Sequence, residues 1–222
     1  MFINLHTHHP TLLPGIFEIE SIWYGQPKLP RAAHGSVGLH PWYLEGIELG
    51  AATTWLREQA AKPEILALGE AGLDKVCKTP WDLQLLAFQR CVEISEAFRK
   101  PLILHCVRAY SELISLKKAW KPVQPWIFHG FDKPPETAEM LLKACCFLSF
   151  GAALFRNNSK AAESLQATLA DRFFLETDDA VVTIEAVYAR AAAIRGVDPG
   201  ALQETVSSTF SRVFNYSRGA AG

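Results

Sequence analysis

From Glu64 onward, short apolar runs alternate with amphipathic stretches. The runs are Ile65–Leu68, Pro101–Leu104, Pro125–Phe128, Phe147–Phe150 and Phe173–Leu175. The stretches between and after them cover roughly residues 82–99, 109–119, 134–144, 158–169 and 183–195. In the first stretch Leu85, Leu86, Phe88, Gln89, Val92, Ile94 and Phe98 follow helical spacing loosely and leave a polar face. Continuous apolar strands between helices predict a parallel sheet covered on both faces. Repeated strand–helix units fit a TIM-type (β/α) barrel or a doubly wound sheet.

The first quarter of the chain breaks this rhythm. Phe2–His8 and Val37–His40 read as strands, and Pro10, Pro14, Pro27 and Pro30 fall between them. A parallel crossover needs about a dozen residues or more, so two helical crossovers barely fit. A strand around Phe17–Tyr24 with short or non-helical connections is the expected solution. The α/β architecture is therefore expected to be irregular and abbreviated on that side. Asp198–Phe214 reads as a final helix with Pro199 in its first turn. Residues 217–222 read as a loose tail of one domain spanning residues 1–222.

Composition narrows the function classes. The chain has 222 residues, 49% hydrophobic and 20% charged, with a formal net charge of −1. That balance fits one globular domain and argues against a basic protein that coats DNA. It leaves open an enzyme that takes nucleic acid through a local patch. The five cysteines (Cys77, Cys91, Cys106, Cys145 and Cys146) include no CxxC pair. They read as reduced thiols of a cytoplasmic protein. The N-terminus lacks the basic and apolar regions of a signal peptide, and no apolar run approaches the ~20 residues of a membrane span. No membrane association and no obligate protein partner are expected.

Candidate chemistry sits where the apolar runs end. His6 and His8 close the first run, and residues i and i+2 of a strand share a face, so the two imidazoles can converge on one metal. Glu70 lies between Gly69 and Gly72, where the backbone can turn closely, and suits a bridging carboxylate. His105 and His129 each cap a buried run. Asp178 follows the last run, as a ligand or as a loop acid ahead of Thr183. Singly, each residue has a plain structural explanation. Jointly, all six lie on the C-terminal side of five different strands. That is the face on which TIM barrels carry their active sites.

The order HTH, GLHP, GEAGLD, LILH, FHGF and LETD resembles the TatD-type metal-dependent deoxyribonucleases, a branch of the amidohydrolase-like barrels. The resemblance runs from His6 to about Phe214, and the Gln84…Phe88 segment after GEAGLD belongs to it. It implies a (β/α) barrel with two adjacent divalent metals, which could be zinc, manganese, magnesium or iron. It further implies that His6, His8 and Asp178 hold one metal, that His105 and His129 hold the other, and that Glu70 bridges. His40 of GLHP matches a position near the scissile phosphate.

Several positions depart from the family pattern. Val107 stands where an arginine is usual, with Arg108 one residue later, and Lys75 replaces an aromatic after GLD. The turn after His129 reads Gly130-Phe131-Asp132-Lys133, and Asp179–Val182 replaces a proline-rich stretch. The expected catalytic residues are Asp178, Glu70 and His40. His40, together with Arg108, Lys75 or Lys133, would neutralise charge on a phosphate. Trp42 and Tyr43 either stack a base or pack on the barrel. His9 and His34 read as structural or exposed. Three functions follow: a phosphodiesterase acting on DNA or another phosphodiester, a hydrolase of small esters, amides or lactones on the same metal frame, or a non-catalytic metal-binding relative.

Overall fold

The structure is a computed structural model that describes residues 1–26 and 31–216. The expected tail at 217–222, and Pro27 and Pro30, lie outside the described residues. Eight strands form: β1 (Phe2–Thr7), β2 (Ile16–Trp23), β3 (His34–Gly38), β4 (Ile65–Asp74), β5 (Leu102–Val107), β6 (Trp126–Phe128), β7 (Phe147–Phe150) and β8 (Phe173–Leu175). They make one parallel sheet in chain order, β1 to β8, with helices between strands, the strand order of a (β/α) barrel.

The helices are α1 (Leu49–Ala60), α2 (Trp81–Phe98), α3 (Tyr110–Trp120), α4 (Pro135–Lys143), α5 (Lys160–Ala167), α6 (Ile184–Arg195) and α7 (Pro199–Val213). Six of these answer to the predicted amphipathic stretches within a residue or two. The exception is α1. Its buried positions are Ala52, Leu56 and Ala60, a stripe with a single large apolar side chain, so its hydrophobic pattern is faint. Residues 8–15 contain no helix, and none is found among the described residues between β2 and β3, as the shortage of chain there requires.

Two strand boundaries differ from the sequence reading. β4 runs on through Gly69–Asp74, so Glu70 sits within a strand and not in a turn after it. β3 lies earlier than Val37–His40, because Pro41 opens a 3-10 turn that His40 caps with its own side chain.

The chain forms two compact units, Met1–Glu18 with the segment from His129 onward, and Ile19–Phe128. In the first unit β1 also neighbours the segment after β8. Thr7 and Asp178 form a parallel bridge, Asp178 N donates to His6 O (3.0 Å), and His8 N donates to Asp178 O (3.1 Å). Its core holds Ile3, Leu5, Phe150, Phe173, Phe174 and Phe210, all buried. In the second unit β3 to β6 pair in parallel over a core of Val37, Leu68, Phe88, Ile103, Trp126 and Phe128. β5 to β8 are mostly apolar, as strands buried on both faces require, whereas β2 and β3 bury Glu18, Glu20, Ser21 and Ser36. Among the described residues, no helix is long and apolar enough to cross a membrane.

Candidate metal centres

In the first unit, β1 delivers His6 and His8 on one face of its C-terminal end. His6 is buried and His8 half-buried. Asn4 fixes the register opposite them: its side-chain amide donates to Thr177 Oγ1 (2.9 Å) and its oxygen accepts from Thr177 N (3.0 Å). Asp178 follows immediately with φ +53°, a left-handed conformation that a short polar residue tolerates. The result is a compact donor group: His6 Nε2 and His8 Nε2 lie 3.4 and 3.5 Å from Asp178 Oδ1. These separations are long for hydrogen bonds. They match the roughly 3.4 Å between two ligand atoms that each sit about 2.1 Å from a tetrahedral ion. The residues therefore fit a divalent metal.

His129, at the end of β6, lies beside this group, with its ring centroid 4.4 Å from that of His6. Its Nδ1 is 3.7 Å from Glu176 Oε1, which accepts a hydrogen bond from Gly130 N (2.6 Å). Glu176 is 0% exposed, and its Oε2 has no hydrogen-bond partner among the described residues.

In the second unit, His40, Glu70 and His105 form another donor group, all three buried. Glu70 Oε1 faces His40 Nε2 at 2.9 Å and His105 Nδ1 at 2.8 Å. The ring protons can be placed from the other contacts. His40 Nδ1 accepts from Trp42 N (3.1 Å), so a neutral His40 carries its proton on Nε2 and donates to Glu70. His105 Nε2 faces Asp74 Oδ2 at 3.1 Å and donates there, so a neutral His105 turns the Nδ1 lone pair toward Glu70. A nitrogen lone pair and a carboxylate oxygen at that distance need a positive charge between them. A proton on Nδ1 would meet that need, and so would a cation bound in the carboxylate–histidine–metal arrangement that orients many metal-bound imidazoles. On this proton assignment His105 and Glu70 offer donor atoms that would suit a cation, and His40 offers a hydrogen bond.

Local geometry in β4 makes this possible. The β4–β5 register shifts between Leu68 and Ala71, and Gly69 and Gly72 have φ of +122° and +154°. A Cβ on Gly72 would overlap the His105 carbonyl oxygen. Gln84 of α2 then brackets Asp74, accepting from its N–H (2.8 Å) and donating to its carbonyl (3.0 Å).

Asp74 in the second unit and Glu176 in the first each contribute more to their own donor group than their place in the sequence suggested. Asp74 accepts from Trp42 Nε1 (2.7 Å), Val76 N (2.7 Å) and Cys77 N (3.1 Å) besides His105. Burial by itself raises its carboxyl, but the bonds from Trp42, His105 and Val76 outweigh that and hold it below its ordinary value. Reading residues 69–74 as strand would have put Glu70, Gly72 and Asp74 on one face.

The remaining candidates lie farther from the donor groups in role. The Lys75 ammonium pairs with Glu112 and lies 5.9 Å from the centre of the Trp81 ring. Arg108 is exposed with φ +55°, and Lys133 Nζ lies 2.6 Å from Asp132 Oδ1. His9 is exposed and pairs with Asp179 at 2.7 Å. Burial lowers the His34 imidazole, partly opposed by Glu64.

Known proteins resemble this chain both in sequence and in fold. The family described as TatD related DNase matches residues 16–215. An uncharacterized metal-dependent hydrolase of Bacillus subtilis is 29% identical over 149 residues, covering 65% of this chain and 58% of that protein. A 3'-5' ssDNA/RNA exonuclease TatD of Erwinia billingiae is 30% identical over 156 residues, covering 67% of this chain and 58% of that protein. The human 3'-5' RNA nuclease TATDN2 is 31% identical over 154 residues, covering 65% of this chain and 20% of its own. The matches thus span less than two thirds of these relatives' lengths. The crystal structure of the TatD homolog YJJV from Escherichia coli superposes with a TM-score of 0.82 at 18% identity, covering 97% of this chain and 98% of that one. The chain belongs to the TatD-related DNase family.

Proposed function

We propose that this chain is a single-domain, metal-dependent phosphodiesterase that hydrolyses single-stranded nucleic acid. The observation that carries the reading is the His6, His8 and Asp178 group, whose nitrogen–oxygen separations of 3.4 and 3.5 Å suit ligands of one ion. Two divalent ions are proposed, one in this group and one at Glu70 and His105. A divalent ion at such a site supplies Lewis acidity and lowers the pKa of water. The names of relatives that act on ssDNA or RNA support the choice of substrate class.

In this proposal the chain's own groups divide the work. Asp178, half-exposed at the end of its backbone bracket, takes a proton from the attacking water. The water oxygen forms the new bond to phosphorus as the bond to the leaving sugar oxygen breaks, and the proton taken by Asp178 passes through solvent to that oxygen. Within the second unit, His40 is the group that can offer an Nε2 proton to a phosphate oxygen. The Asp74 carboxylate keeps the His105 ring in one orientation throughout. Lys75 is already paired with Glu112, so Arg108 is the better candidate for charge neutralisation at the rim of the second unit.

The test is hydrolysis of single-stranded DNA and of bis-(p-nitrophenyl) phosphate by chelator-treated protein, with magnesium, manganese or zinc restored one at a time. Restored cleavage of both substrates is expected. Cleavage of neither by metal-loaded protein overturns the proposal and directs the search to esters, amides and lactones.

A further inference from the structure

Trp42 is 55% exposed, yet it is held more firmly than an exposed side chain usually is. Its indole N–H donates to Asp74 Oδ2 at 2.7 Å, and Asp74 is 3% exposed. The same oxygen faces His105 Nε2 at 3.1 Å. The indole also meets two imidazoles of the second donor group edge-on, with centroids 5.2 Å from His40 and 5.6 Å from His105. A hollow of about 290 Å3 opens beside it, bounded by Trp42, Asp74, Cys77, Lys78 and Thr79. A large aromatic ring is therefore fixed in orientation, next to the reacting groups, with open space against it and much of its surface in solvent. Packing alone does not account for this, because a ring that served only the core would be covered.

We propose that Trp42 is the platform on which a base of the single-stranded substrate stacks, and that Asp74 sets this stack in register with the reacting phosphate. Every base has a π-face, so such a platform grips a strand without reading its sequence. One carboxylate holds both the platform and His105, so the base position and the imidazole position cannot drift apart independently. Trp42 touches substrate on this account, and Asp74 is a positioning residue. The inference rests on the phosphodiesterase reading and deepens it, by saying which part of a nucleotide the site recognises besides its phosphate.

The test compares two phosphorothioate-linked, hydrolysis-resistant strands of equal length and charge, one of thymidylate and one of abasic units, each carrying a fluorescein. Binding to metal-loaded protein is followed by anisotropy. Wild type is expected to prefer the base-bearing strand, and Trp42→Ala to lose about tenfold of that preference, the size that stacking of one base carries. Trp42→Phe keeps a ring but lacks the indole N–H. It is expected to retain most of the preference while kcat on a natural strand falls more than KM rises. Equal weakening of both strands by Trp42→Ala would mean that the ring only supports the fold, and would overturn the proposal, as would an unchanged preference. Failure of the underlying reading has a separate signature: metal-loaded wild type would release no p-nitrophenol from bis-(p-nitrophenyl) phosphate, whatever the binding ratio.

Discussion

Glu70 and Asp178 are each one carboxylate that faces two imidazoles, and a neutral amide replaces either with little change of shape. Glu70→Gln and Asp178→Asn are therefore expected to stay folded and to lose about 100-fold in metal-dependent turnover, the upper end of the roughly 10–100-fold that even the partners of metal ligands control. Retention of full turnover by both would refute the assignment. Circular dichroism and bound metal per chain, measured on the same samples, separate loss of chemistry from loss of fold. A buried thiol makes an independent prediction. Burial pushes Cys91 up to about 12 from an ordinary 9.0. Between these values the native thiol keeps a proton that the unfolded chain releases, so stability falls as pH rises, by up to about 1.4 kcal/mol per pH unit. Tyr188, raised by burial and bonded to the Ile3 backbone, acts in the same direction at higher pH. Urea unfolding of wild type and Cys91→Ala between pH 8 and 11 should show a shallower decline in the variant.

Among the elements, β4 contributes most to the second donor group. Its glycines let β5 approach so closely that any side chain on Gly72 collides with the His105 backbone. The positive φ at that position adds strain for any other residue. Gly72→Ala is expected to cost about 3 kcal/mol or more, from overpacking together with backbone strain. It should also weaken metal binding, because it displaces His105 from Glu70. Thermal unfolding and metal titration of the variant check both effects, and an unchanged midpoint with unchanged affinity would contradict the account. The same element shows why its role was hard to read. Two glycines and two acids in six residues look like a turn by composition. They form a strand because β5 pairs alongside them, Ala71 to Asp74 opposite Leu104 to Val107. The helix α1 was obscure for a different reason: its Ala52–Leu56–Ala60 stripe carries little apolar contrast, and its cap is a glutamate, Glu48.

At the scale of the molecule, bound metal should act on stability as well as on catalysis. A ligand that binds only the native state stabilises it by about 2.7 kcal/mol at a concentration 100 times its dissociation constant. For a chain of this size that corresponds to roughly 5–10 °C in Tm. Chelation is expected to lower the midpoint by that order, and restored metal to recover it. Asp178→Asn should show a smaller shift. Equal midpoints with and without metal would mean that the donor groups do not bind metal at working concentrations. The family match over residues 16–215 and the TM-score of 0.82 to a TatD homolog agree with the strand–helix alternation visible from Glu64 onward.

The sequence by itself determined the alternation of strands and helices, the shortage of chain between the first three strands, and the run-ending positions of His6, His8, Glu70, His105, His129 and Asp178. These follow from local rules: apolar runs become buried strands, and polar residues at their ends face solvent or a ligand. The tertiary structure decided which donors meet. It put His40 against Glu70, seated His129 beside His6, set Asp74 against His105 and set Glu176 near His129. It also tied Lys75 to Glu112 and left Trp42 held but open. Spacing along a chain fixes which face a residue occupies. The distances between residues on different strands depend on register, on the close approach that glycines permit, and on hydrogen bonds that exist only once the strands are side by side.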